Sequence, residues 1–208
     1  MGRTVLQTTY YDANAHGLPY DPLKAIVAPR PIGWISTYDS NGVSSLAPYS
    51  FFNLVSDRPK IVMFASVGWK DSASHASARE AFAANLVTVT DLDRMNQSSA
   101  DLPRGRSEFE EFGIPEIRCK SVDAPRIADA VASLECAVTQ VIEPTTLNGE
   151  PADAVLVFGQ VVGYHIADHL MTNGQFNTAL AEPVSRLGYR DYATVRDTFS
   201  VDRPGRSG

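Results

Sequence analysis

The chain has 208 residues, with 18 Lys and Arg against 24 Asp and Glu for a net charge of −6, and 44% of it is hydrophobic. That length and apolar content suffice for one sizeable core without staples, and the acidic balance argues against nucleic acid or an anionic membrane surface as partner, since both reward clustered Lys and Arg. No run of about 18 apolar residues is present to cross a bilayer, Met1 to Asp12 is polar and lacks the apolar stretch of a secretion signal, and the only cysteines, Cys119 and Cys136, stand far outside CxxC spacing, as expected of two reduced thiols in a cytoplasmic protein.

Thirteen prolines and fourteen glycines cut the chain into short pieces, with no internal repeat. Asp21 to Ala25 predicts a short helix with Pro22 at its first position, stopped by Pro29 and Pro31. Ile32 to Tyr38 reads as a strand, Asp39-Ser40-Asn41-Gly42 as a turn whose Asn-Gly suits positive φ, and Val43 to Ala47 as the return strand. Phe51 to Val55 and Ile61 to Ala65 are short apolar runs on either side of the turn-like Asp57-Arg58-Pro59. From Ser72 to Ala84, small residues and Phe82 predict a helix capped by Asp71 or Ser72. Leu86 to Thr90 returns to β-branched residues. Residues 91 to 126 are polar and irregular, with helical stretches at Leu92 to Ser98 and Ser107 to Phe112.

Two longer strands follow, Ala132 to Glu143 and Ala154 to Ala167, joined by a turn at Asn148-Gly149. In the first, Leu134, Cys136, Val138, Gln140 and Ile142 alternate onto one face, the mark of a half-buried strand. The tail after Tyr192 is charged, rich in Pro and Gly, and expected to be loose. Short, hairpin-linked antiparallel strands bury best in a closed or partly closed barrel, which also protects their edges, with helices over its open ends.

The chain has no GxxxxGK[ST], no strand–GxGxxG–helix unit and no GxSxG elbow. His165 and His169 have metal-binding spacing only on a helix, and Val161 to Ile166 reads as a strand, so no metal site is expected. Three stretches stand out. Arg30 between Pro29 and Pro31 has a fixed backbone that aims its guanidinium at an anion, or is a surface Arg beside a strand. Pro48, within Ser44 to Asn53, breaks the strand ladder and frees backbone groups for a ligand with Phe51 or Phe52 as a packing surface; otherwise it marks a bulge over an aromatic core. Lys70-Asp71-Ser72 at a helix start makes a phosphate site, or a plain cap with a solvated Lys.

Together these residues resemble the flavin reductase-like family of FMN-binding split barrels, which includes flavoredoxin and the reductase component of nitrilotriacetate monooxygenase. The likeness runs through Ile26 to Thr37, Gly42, Leu46 to Asn53 and Lys70-Asp71-Ser72. It continues in Ser107-Glu108-Phe109-Glu110, Glu135-Cys136, Gly159-Gln160-Val161-Val162 with His165, and Arg186-Leu187-Gly188 with Tyr192. It implies a mainly β chain with flanking helices, an antiparallel FMN-binding split β-barrel that forms a homodimer sharing its flavin sites. Residues 1–19 would be an extension, 20–192 the barrel domain and 193–208 a tail.

By matching position, the resemblance implies that Ser45, Ala47, Pro48, Tyr49, Ser50 and Phe51 line the flavin ring, and that Lys70 and Ser72 hold the FMN phosphate. Arg30 and Thr37 would support the same wall, and His165 would approach the flavin or nicotinamide as the catalytic residue. The family often has Asn where Ser45 stands. The activity implied is transfer of electrons from NADH or NADPH to flavin, with reduced FMN diffusing to a partner monooxygenase. The alternatives are a flavoredoxin-like electron carrier and a flavin-binding protein without turnover.

Overall fold

The computed structural model describes residues 6–202, 204 and 205. Its first elements are α1 (Leu23–Ile26), β1 (Arg30–Pro31), β2 (Gly33–Tyr38), β3 (Ser44–Tyr49), β4 (Phe52–Asp57), β5 (Lys60–Ser66), α2 (Asp71–Arg79) and β6 (Ala81–Leu86). Then come α3 (Leu92–Gln97), α4 (Glu108–Glu111), β7 (Glu116–Arg118), β8 (Pro125–Ile127), β9 (Ala132–Ile142) and β10 (Val155–Ile166). The chain closes with β11 (Met171–Thr172), β12 (Gln175–Phe176), α5 (Thr178–Ala181), β13 (Val184–Arg186) and β14 (Tyr192–Thr194). Pro22 precedes α1 as its cap rather than opening its first turn. Among the described residues no helix is long and apolar enough to cross a membrane.

Seven strands form one curled antiparallel sheet in the order β3-β2-β6-β9-β10-β5-β4. Three of its pairings are hairpins, as the turn residues require. In the β2–β3 turn the Asp39 carboxylate accepts from the amides of Asn41 and Val43, 2.8 Å each, and Gly42 takes φ 83°. Asn41 does not share that positive φ, so glycine alone supplies it.

The predicted helix to Ala84 is corrected. The helix ends at Arg79, Glu80 turns the chain at φ 53°, and Ala81 to Leu86 form the interior strand β6. Alanines favour helix locally, but here five of the six residues are buried between β2 and β9, and the strand ladder overrides propensity. The strand expected over Leu86 to Thr90 shrinks to Leu86; Val89–Asp91 is a 3₁₀ turn closed by a Thr88–Asp91 capping box.

The expected face of β9 holds for Leu134, Cys136 and Val138 and then fails. The pairing of β9 with β10 steps from Val138–Gly159 to Gln140–Phe158, which leaves Thr139 unpaired. That bulge flips the alternation, so Val141, not Gln140, reaches the core.

Inside the curl, Ile35, Phe64, Phe82, Cys136, Val155 and Val157 pack under Ala73 and Ala76 of α2. Small residues on that helix let it lie close over the barrel end. On the outer side, Trp34, Leu46, Ile127 and Val184 make a second core with Met95 of α3 and Phe109 of α4. The terminal strands run further than the expected boundary at Tyr192, since Ala193 and Thr194 still pair with β13.

Candidate functional site

β3 is an edge strand of the sheet, so one row of its backbone groups faces away from β2. α4 covers part of that row. The Glu108 carboxylate accepts the Leu46 amide at 2.8 Å, and the hydroxyls of Ser107 and Ser44 meet at 2.7 Å. Further along, Pro48 has no N–H to satisfy, and the edge opens onto a cleft of about 460 Å³. Its walls are β3 (Ser45, Ala47, Pro48, Tyr49), the start of α2 (Trp69, Lys70, Asp71, Ser72), and the loop after α3 from Ser98 to Arg104, with Glu108 beneath.

No side chain caps the first turn of α2. Its orphan amides therefore add a partial positive charge to the Lys70 ammonium beside the cleft. Burial pushes the Glu108 carboxyl up, against hydrogen bonds from the Leu46 amide and Ser45 hydroxyl, and Asp71 pushes the same way. Burial likewise raises the Tyr49 phenol, against the neighbouring Ser72 and Ser66 hydroxyls.

Of the residues predicted from sequence, Ser45, Ala47, Pro48, Tyr49, Lys70 and Ser72 meet in this cleft. The others do not line it. Arg30 is buried, and its guanidinium donates to the carbonyls of Lys24, Val27 and Leu187 rather than facing a free anion. It ties α1 to the loop after β13. Thr37 is fully buried behind β3, with its hydroxyl 3.5 Å from His75 Nδ1. Ser50 follows the cleft wall outside its lining, and Phe51 lies outward with the cations of Lys24 and Arg30 each 5.9 Å from its ring centre.

His165 is placed away from this cleft. Its Nε2 lies 2.5 Å from the Glu135 carboxylate, which also accepts the amides of Lys120 at 2.7 Å and Ser121 at 2.6 Å. Burial alone would raise the Glu135 carboxyl; the His165 hydrogen bond and the two amides outweigh it and hold it lowered. His165 also borders a second cavity of about 300 Å³, whose apolar lining includes Phe52, Leu86, Leu134, Tyr164 and Ile166.

Sequence reasoning missed Trp69, Asp101, Arg104 and Glu108 as cleft residues. Glu108 carried a signal, since it lies in the Ser107-Glu108-Phe109-Glu110 stretch. The loop residues carried none, because an irregular polar segment does not show which wall it will close.

Residues 27–181 match the family model described as a flavin reductase like domain. The chain belongs to the flavin reductase-like family. A relative in Halalkalibacterium halodurans is 36% identical over 191 residues, covering 89% of this chain and 90% of the relative. Component B of nitrilotriacetate monooxygenase from Bacillus cereus superposes with a TM-score of 0.85 at 25% identity, over 95% of this chain and all of that one. A 2-nitrobenzoate 2-nitroreductase of Pseudomonas fluorescens gives a TM-score of 0.78 at 27% identity, over 89% and 90% of the two chains. The curled seven-stranded sheet of this flavin reductase-like chain is thus a split barrel, and its role is flavin-related.

Proposed function

We propose that the cleft between β3 and the start of α2 holds FMN, and that the protein is an NAD(P)H:flavin oxidoreductase acting as a homodimer. The observation that carries this is the convergence of Ser45, Ala47, Pro48 and Tyr49 with Lys70 and Ser72 in one cleft. The donor set fits a flavin phosphate ester. An uncapped helix start, an ammonium and a hydroxyl suit the phosphate, and a proline-broken edge strand suits a ring whose rim alternates donors and acceptors. FMN, when bound, supplies the chemistry by accepting hydride and passing electrons on.

The chain's own residues bind and orient. Lys70 and the α2 amides hold the dianion, Ser72 donates to it, and β3 supplies the wall for the ring. Glu108 keeps that wall in place through Leu46. The protein would supply reduced flavin to a partner monooxygenase, a reading supported by the likeness to a monooxygenase component B.

Binding and reduction are tested on one sample. FMN should bind far more tightly than riboflavin, and anaerobic NADH or NADPH should bleach the bound flavin within the turnover time. Equal affinity for FMN and riboflavin removes Lys70 and Ser72 from the phosphate. Bleaching by neither nucleotide leaves a flavin carrier in place of a reductase.

A further inference from the structure

Glu108 places a carboxylate beneath the β3 wall of the cleft. Two bonds fix it there: it accepts the Leu46 amide at 2.8 Å and the Ser45 hydroxyl. Among the described residues no cation pairs with it, and Arg106, close by on the chain, pairs with Glu111 instead. The charges that share the cleft with it are Lys70 and Asp71 at the start of α2 and Asp101 and Arg104 on the loop after α3; β3 adds only hydroxyls. At the other end of that wall the Tyr49 phenol meets Ser72. Three residues of extended strand, about 10 Å, separate Leu46 from Tyr49, which sets Glu108 under the ring and Lys70 and Ser72 at the phosphate.

Hydride transfer brings two electrons and one proton to a flavin, so its ring gains one negative charge. A carboxylate held under that ring responds in one of two ways. If it takes a proton from water it becomes neutral, and its O–H is a hydrogen-bond donor. If it stays ionised it repels the added charge. Burial and Asp71 already favour its neutral form, and a second negative charge above it pushes the same way.

We propose that Glu108 couples flavin reduction to proton uptake, and so sets how tightly the cleft keeps reduced FMN relative to oxidised FMN. This role rests on the placing of the ring against β3 and of the phosphate at Lys70 and Ser72. Reduction draws one proton from water onto the Glu108 carboxylate, and the charge of the cleft stays constant. At low pH the carboxyl is neutral before reduction, and both forms of FMN are kept. As pH rises the carboxylate holds its charge, and reduced FMN is released in preference to oxidised FMN.

Titrating the apo-protein with oxidised and with dithionite-reduced FMN, between about pH 5 and pH 8, tests this without a nicotinamide nucleotide. The quantity read is the ratio of the reduced to the oxidised dissociation constant. Glu108→Gln keeps an acceptor for the Leu46 amide and cannot take the proton. Its ratio should match the unaltered protein's at low pH and be roughly tenfold lower at the upper end. Asp71→Asn removes one negative charge at the phosphate end and should leave the ratio within about twofold. A measurement on the unaltered protein needs no substitution. Its midpoint potential should steepen, over part of that range, from about 30 to about 60 mV per pH unit, the slopes for one and two protons per two electrons. A one-proton slope throughout overturns the coupling. So does a Glu108→Gln protein that has the unaltered ratio, that tightens both forms of FMN equally, or that no longer binds oxidised FMN, and so does an Asp71→Asn protein that shifts the ratio as far. A protein that prefers FMN to riboflavin yet shows any of these results sinks the role of Glu108 alone; one that binds FMN and riboflavin alike sinks the flavin site beneath it.

Discussion

Glu108 and Lys70 do opposite things to an anion in the cleft, and single substitutions separate them. The folded environment raises the Glu108 carboxyl, so its ionised form is disfavoured: whatever stability the neutral form gives is present at low pH and is lost as pH rises through the folded value. Glu108→Gln keeps an acceptor for the Leu46 amide and removes the charge. It should leave the melting temperature unchanged or higher at pH 8 and tighten FMN binding there. Glu108→Ala orphans that amide and should cost about 1–3 kcal/mol in denaturant titration. Lys70→Ala should weaken FMN binding by roughly 1.5–3 kcal/mol by isothermal calorimetry, with the apo-protein melting as before. A large loss of apo stability would make Lys70 structural.

His165 and Glu135 are the second pair at this scale. Glu135 is 1% exposed and its folded carboxyl is lowered. Its stabilisation is therefore full above the ordinary carboxylate range and fades as pH falls through the lowered folded value. Glu135→Gln should lower stability at pH 7 by about 1–3 kcal/mol and flatten the acid side of a melting-temperature profile. His165→Ala should also lower the melting temperature, because it strips a partner from a buried carboxylate. Stopped-flow reduction of bound flavin decides whether His165 does more: a tenfold slower rate would return it to the catalytic role that the family resemblance implies.

At the scale of elements, the close approach of β10 to β6 rests on one glycine. A Cβ on Gly159 would stand 2.4 Å from the Phe82 ring and 2.9 Å from Cys136 Cβ. Both neighbours are fully buried, so neither has room to move. Gly159→Ala should destabilise the fold by roughly 1–3 kcal/mol, the usual range for overpacking, read as a lower denaturation midpoint. Its neighbour β9 carries the bulge at Thr139 that turns Val141 inward.

At the scale of the whole molecule, the outward apolar side chains are the feature to explain. Leu54 and Val55 on the edge strand β4 are 58% and 48% exposed, and Val162 and Tyr164 of β10 are 45% and 53% exposed. Exposed apolar side chains on an edge strand invite another chain. Sedimentation should find a two-fold dimer burying about 1,600 Å² or more. A monomer that binds FMN at full strength would contradict a shared flavin site.

The sequence by itself determined the pieces that depend on neighbours along the chain. Asp39 to Gly42 forms a turn because a carboxylate and a glycine sit at fixed offsets. The long strands β9 and β10 follow from their β-patterned runs, and the order of Ala47 to Phe51 and Lys70 to Ser72 was enough to point to the family. Tertiary structure decided what depends on distant partners. Ala81 to Leu86 became a strand because β2 and β9 offered hydrogen bonds on both sides. Arg30 turned to three backbone carbonyls, and His165 to a carboxylate 30 positions away, because burial makes an unpaired charge costly and the nearest partner in space settles it. The far wall of the cleft, Asp101 and Arg104, was set by where the loop between α3 and α4 lands on β3, which no local pattern encodes.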